Sequence, residues 1–291
     1  MANEHEKDVD EITGTETTQH EWDGIKELDT PLPKWWLWTF YATVAWGLGY
    51  TVFYPAWPGI EGATAGILGY STRGSAHEAI AEAAAAQSQW TDRIAALEIA
   101  EVKADAELNQ FAQAGGAAVF RTNCSQCHGA GAAGVQAAGY PNLRDDAWLW
   151  GGTLEEIEHT IRHGIRYDGD LDTRFSEMPA FGKMDILTRE EIDATADYVL
   201  SLSGQAEANA QGETIFIEQC AACHGDAGEG IPELGAPRLS DAIWLYGGSK
   251  DKVVETITYS RAGMMPAWND RLSDAQIKQA AIYVHSLGGG Q

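Results

Sequence analysis

All four cysteines of this 291-residue chain fall into two copies of one pentapeptide, Cys124-Ser125-Gln126-Cys127-His128 and Cys220-Ala221-Ala222-Cys223-His224. Two thiols at this spacing, followed directly by an imidazole, form the attachment signature of c-type haem. The thiols add to the two vinyl groups of the macrocycle, and the adjacent imidazole reaches the iron from one face. Structural zinc and thioredoxin-like redox sites also use Cys-x-x-Cys. They fit poorly here, because each pair is followed by His, the pattern occurs twice and no cysteine is left over. The expected cofactors are therefore two covalently bound haem c groups. Cys124, Cys127, Cys220 and Cys223 would hold them, and His128 and His224 would each supply one axial ligand.

The second axial ligand decides the chemistry, since an open iron position permits catalysis and a filled one restricts the haem to electron transfer. Met178-Pro179-Ala180-Phe181 and Met265-Pro266-Ala267-Trp268 occupy equivalent late positions after the two motifs. Thioether sulfur binds iron and raises the haem potential. Taken in chain order, the expected pairs are His128 with Met178 on the first iron and His224 with Met265 on the second. Met184 and Met264 are the competitors, and ordinary core packing is the alternative role for any methionine. Pro141 and Pro237 follow the motifs at equal distance, and their carbonyls are the expected acceptors for the other ring nitrogen of each ligating His. Arg144 and Arg238 are candidates to pair with haem propionates. His159 and His163, four apart on a helix, have no equivalents in the second copy and read as surface histidines.

These residues recur because the sequence after Gly115 repeats. An offset of 96 matches Phe120 with Phe216, Cys124 with Cys220, Pro141 with Pro237, Trp148 with Trp244 and Ile161 with Ile257. The first copy then carries an insertion at roughly 164–175. Two copies define two related domains rather than a solenoid, which needs more repeats. Each reads as helical: a helix before the motif with Phe120 or Phe216 on its buried face, a glycine-rich loop, a middle helix ending near His163 or Tyr259, and a last helix. Thr188 with Glu191, and Ser273 with Gln276, form capping boxes that start the last helices. Apolar residues then recur at helical spacing, and Tyr198 and Tyr283 are placed to pack on the first helix of each domain.

Upstream, Trp35 to Tyr54 carries no charge. Twenty residues at about 1.5 Å rise match the hydrocarbon core of a bilayer. Trp35, Trp36 and Trp38 would mark one interface and Tyr54 and Trp57 the other. The 33 polar, acidic residues before Lys34 do not suit a cleaved signal peptide. Covalent haem attachment outside the cytoplasm would put residues beyond about 120 in the periplasm and the N-terminus inside. Ala45, Gly47 and Gly49 would allow close approach of another membrane helix. Residues 59–74 read as a glycine-rich loop, and Ala76 to about Ala114, rich in Ala, Glu and Gln, as a helical connector. The net charge of −24 repels nucleic acid and favours basic protein partners. The expected fold is all-α: residues 1–33 cytoplasmic, 34–57 a transmembrane helix, 58–114 loop and connector, 115–204 and 205–291 tandem class I cytochrome c domains.

The stretch from His20 to Trp36, HEWDGIKELDTPLPKWW, and Tyr54-Pro55-Ala56-Trp57-Pro58 resemble the segments flanking the membrane helix in the dihaem subunit (subunit III, the P subunit) of cbb3-type cytochrome c oxidases. The two haem motifs and the two Met-Pro-Ala elements match that family's later pattern in order. The resemblance implies a single-pass protein of the bacterial inner membrane that is not an enzyme by itself. It would take electrons from a donor cytochrome c and pass them to a monohaem subunit. That subunit feeds the catalytic haem-copper subunit of a proton-pumping oxidase. A free-standing anchored cytochrome serving another periplasmic reductase is the alternative, and a dihaem peroxidase a more distant one.

Overall fold

The first regular structure in the computed structural model, which describes residues 8–290, is a β-hairpin, an element outside the all-helical expectation. Strands β1 (Thr17–Trp22) and β2 (Ile25–Leu28) pair antiparallel, with Trp22 opposite Ile25. Asp23 and Gly24 make the turn with φ of 50° and 85°. Asp-Gly is the dipeptide that suits a two-residue turn needing positive φ at both positions. Lys26 ties the hairpin back to Asp8 at 2.7 Å.

Helix α1 (Lys34–Phe53) follows, and none of its residues is buried. By mean hydropathy, no helix among the described residues is long and apolar enough to cross a membrane. In α1 tryptophans, tyrosines, threonines and glycines stand at many positions where Leu, Ile or Val would raise that mean. The chain then folds back on the helix end: Ile67 and Leu68 donate to the Val52 and Phe53 carbonyls, and Tyr54 stacks on Tyr50. The chain divides into two units after Ala85, inside α2 (Thr72–Ala96).

The expected helical connector consists of three helices. After α2 come α3 (Ile99–Ala104) and α4 (Ala106–Val119). Glu98 and Glu101 form a capping box on α3, and Asp105 caps α4 by accepting from the Glu107 and Leu108 amides. α4 is the first helix of the first haem core, so the expected boundary at residue 115 cuts through it. A π-helical turn, Phe120–Cys124, leads from α4 into α5 (Ser125–His128). The remaining helices are α6 (Leu154–His163), α7 (Arg189–Leu202), α8 (Ala210–Gln219), α9 (Ala221–His224), α10 (Lys250–Tyr259) and α11 (Asp274–His285). The expected capping boxes stand at the starts of α7 and α11.

Two cores form, and neither follows the order of the chain. The first gathers Ile94, Leu108, Phe120, Ile157 and Ile161 with Ile277, Ile282 and Val284 of α11. The second gathers Ile192, Val199 and Leu200 of α7 with Phe216, Val253 and Ile257. Thus α11, the last helix of the second copy, lies along α4 and α6. Helix α7, the last of the first copy, lies along α8 and α10. Tyr283 meets Phe120 at 5.5 Å between ring centroids, and Tyr198 meets Phe216 at 5.3 Å. Gly116 and Gly212 make these crossings possible: a Cβ at Gly116 would collide with the Gln279 carbonyl, and one at Gly212 with that of Ala194. Across the consecutive stretches expected at 115–204 and 205–291, the last helix of each copy thus packs on the first helix of the other. Both copies present the same glycine and tyrosine surfaces, so local pairing and exchange offer nearly the same contacts, as in domain swapping.

Candidate functional site

Each haem motif sits on a short helix whose end aims the histidine back at a glycine-rich loop. In the first, His128 is followed by Gly129 at φ 78°, and its Nδ1 lies 3.3 Å from the Pro141 carbonyl oxygen. In the second, His224 is followed by Gly225 at φ 80°, and its Nδ1 lies 3.0 Å from the Pro237 carbonyl. These contacts would fix each ring and leave Nε2 free to ligate, the usual arrangement for a metal-bound imidazole. Burial pushes both imidazoles below their ordinary pKa, opposed by the proline carbonyls, a shift toward the neutral ring that ligation would need. Burial, with the neighbouring motif cysteine adding to it, pushes the Cys124 and Cys220 thiols up to about 11, while Cys127 and Cys223 lie exposed. All four cysteines are free of disulfides.

Met178 lines the cavity that contains Cys220, Cys223 and His224, together with Pro179, Phe216, Leu239 and Trp244. It packs on the core that holds Cys220 and Ala221. Met265 packs on the other core, beside Phe120, Cys124, Leu143 and Trp148. Chain order paired Met178 with His128 and Met265 with His224; in the structure each methionine lies with the motif of the opposite copy. The reason is the exchange just described, because each Met-Pro-Ala element immediately precedes an exchanged last helix. The competitors Met184 and Met264 are each 61% exposed and belong to neither core.

The surroundings suit an apolar macrocycle carrying carboxylates. The Trp150 and Trp244 indole nitrogens and the Arg174 Nε are buried with no partner in the protein. Buried donors of this kind need an acceptor, and haem propionates would supply one. Arg238 lines the second cavity, whereas Arg144 lies exposed and donates its backbone amide to Asn142. Sequence reasoning missed Arg174 and Arg261. They occupy equivalent positions before the two methionines and lie over Trp150 and Tyr246, at 5.7 and 4.5 Å from the ring centroids. His163, expected at the surface, is partly buried and bonds Asp170 at 3.0 Å, and Asn269 also bonds Asp170. With Asp172, these side chains hold the first-copy insertion against the loop after Met265, and the ligand atoms of His163, Asp170 and Asp172 lie within 4.8 Å of one another.

A fold with two Cys-x-x-Cys-His helices, two proline-anchored imidazoles and a thioether beside each defines a dihaem c-type cytochrome. Comparison with known proteins gives the family. Residues 14–61 match the N-terminal domain of cytochrome oxidase-cbb3, FixP, and residues 111–199 and 207–284 match the model of cytochrome c oxidase, cbb3-type, subunit III. The chain is 52% identical to the cbb3-type cytochrome c oxidase subunit CcoP of Cereibacter sphaeroides, over 94% of this chain and 95% of that one. It is 51% identical to subunit FixP of Sinorhizobium medicae over the whole of both chains. It is 54% identical to subunit CcoP of an Azospirillum species, over 97% and 98%. The chain belongs to this family of cbb3-type oxidase subunits and is an electron-transfer cytochrome with two covalently bound haem c groups.

Proposed function

We propose that the chain accepts electrons from a basic donor cytochrome c and hands them to a monohaem cytochrome c subunit. From there they reach the haem-copper subunit that reduces oxygen in a proton-pumping cbb3-type complex. The observation that carries this reading is the presence of Met178 in one cavity with Cys220, Cys223 and His224, mirrored by Met265 beside Cys124. Bound haem supplies reversible one-electron chemistry there. Cys124 and Cys127, and Cys220 and Cys223, would hold the macrocycles through thioether bonds. His128 with Met265, and His224 with Met178, would ligate the two irons, and ligation by imidazole and thioether would restrict each haem to electron transfer. Pro141 and Pro237 orient the imidazoles. Trp150, Trp244, Arg174 and Arg238 offer the donors that carboxylate groups require. The subunit carries electrons and catalyses nothing alone.

The same reading makes α1 a single-pass anchor in the bacterial inner membrane, with residues 1–33 cytoplasmic, 34–57 spanning and the haem units periplasmic. A helix apolar all round that buries nothing in its own protein needs lipid or another helix around it. The Thr39, Thr43 and Thr51 hydroxyls bond carbonyls of the helix itself, at 2.9, 2.7 and 2.8 Å, which hides their polarity from a bilayer. The tryptophans and tyrosines that lower its mean hydropathy suit the membrane interfaces. Gly47 and Gly49 leave room for an approaching helix of a larger membrane subunit.

Detergent-purified complex tests the assignment. The chain should co-purify with an oxygen-reducing haem-copper subunit, and electron delivery from a basic cytochrome should fall as salt rises. Met178→Ala and Met265→Ala should each lower one haem potential and open one haem to carbon monoxide. A chain that purifies alone, or methionine variants with unchanged spectra, would overturn the reading.

A further inference from the structure

One side chain touches both methionine-bearing segments. Arg166 stands at φ 52°, in the left-handed region that a long side chain adopts only when its surroundings hold it there. Its neighbour Ile165 exchanges both backbone hydrogen bonds with Met265, at 2.9 and 3.0 Å. The Arg166 amide donates to the Arg174 carbonyl at 2.8 Å. Its guanidinium then forks. Nε donates to the Gly263 carbonyl at 2.7 Å, and Nη1 donates to the Ser176 carbonyl at 2.9 Å. Gly263 lies two residues before Met265, and Ser176 two residues before Met178. The two acceptors are therefore equivalent positions in the two copies.

The fork is not duplicated. Arg166 lies within the first-copy insertion, which the second copy lacks, so no residue there matches it. A single arginine from the first copy thus meets both strands of the exchange, and both bonds go to main-chain carbonyls. A planar guanidinium can fix two acceptors in a set geometry, whereas a lysine ammonium acts as one point charge on a flexible stem. Gly164, just before this segment, approaches so closely that a Cβ would collide with the Met265 carbonyl. The backbone is therefore pinned on one side and the side chain on the other.

We propose that Arg166 is a positioning residue for both axial methionines, and that through it the sulfur ligation of the two haems is set together. The inference rests on the crossed ligation described above. An arginine lying only against one haem pocket would act on one haem: Arg166 also lines the second cavity, beside Tyr246 and Arg261. Holding Gly263 and Ser176 at once makes it act on two.

The test uses the full chain with both haems attached, comparing Arg166→Ala and Arg166→Lys with the native protein. Three readouts are taken: the far-red sulfur-to-iron charge-transfer band of the oxidised protein, carbon monoxide binding per haem, and a redox titration resolved into two components. Arg166→Ala should weaken the band at both haems, admit carbon monoxide to both and lower both components. Arg166→Lys, which keeps the charge and loses the fork, should fall between Arg166→Ala and native for both. A change in only one component would make Arg166 a residue of the second pocket alone. Full rescue by lysine would reduce its role to charge, and an unchanged band in Arg166→Ala would remove the role; each of these results overturns the proposal. The double variant His128→Ala with Met265→Ala, measured beside these, checks the crossed ligation separately. If it leaves the other haem intact while Arg166→Ala does nothing, only the arginine assignment fails.

Discussion

The first and second haem units use the same parts but are braced differently. Around the first motif, the end of α2, the whole of α3 and the stacked pair Trp90 and Phe111 add a layer of packing. The insertion, through Asp170, His163 and Asn269, adds a polar clasp on the Met265 loop. Around the second motif, α7, α8 and α10 pack alone, with Lys250 bridging Asp193 and Asp197 on the surface. Exposed ion pairs contribute little stability. The comparison teaches that exchange of the last helices makes each unit depend on both copies, while the added layers protect only one of them.

The largest expected effect comes from the two phenylalanines. Phe120 and Phe216 are 1% and 0% exposed, and truncating either to Ala should cost about 3–5 kcal/mol. In thermal melts followed by haem absorbance, Phe216→Ala should melt at a lower temperature than Phe120→Ala, because its unit lacks the outer layer. In a redox titration Phe216→Ala should disturb the same component as Met178→Ala, and Phe120→Ala the same component as Met265→Ala. Equal melting would break the comparison of bracing, and the reverse assignment of components would break the exchange.

Next come the helix crossings. Gly116→Ala and Gly212→Ala each force a Cβ into a facing backbone and should cost about 1–3 kcal/mol. Denaturant unfolding should show the loss in both, larger for Gly212. A smaller effect belongs to the clasp: Asp170→Ala removes its bonds to His163 and Asn269 and should cost about 1 kcal/mol, confined to the first unit. Smallest and most even are the caps. Thr188→Ala and Ser273→Ala should each cost about 0.5 kcal/mol, because both exposed boxes share the same pair of N-cap and N3 bonds.

Much of the site was legible before any coordinates. Cys-x-x-Cys-His, the equal spacing to Pro141 and Pro237, and the paired Met-Pro-Ala elements report local chemistry, and local chemistry is written in short spacings. The capping boxes of α7 and α11 were legible for the same reason. The hairpin at Asp23-Gly24 and the cap at Asp105 left signals of that kind too, which composition obscured. The crossing did not. Gly116 and Tyr283 match Gly212 and Tyr198 so closely that the sequence shows which surfaces are complementary but not which copy supplies each. Arg166 was illegible for another reason: its partners are carbonyls, which every residue has.

The central claim is that each iron takes its histidine from one copy and its methionine from the other, and carbon monoxide binding in paired variants tests it most directly. His128→Ala combined with Met265→Ala should damage one haem and leave the other six-coordinate, while His128→Ala combined with Met178→Ala should open both. The opposite pattern, with the His128 and Met178 pair sparing one haem, would contradict the account.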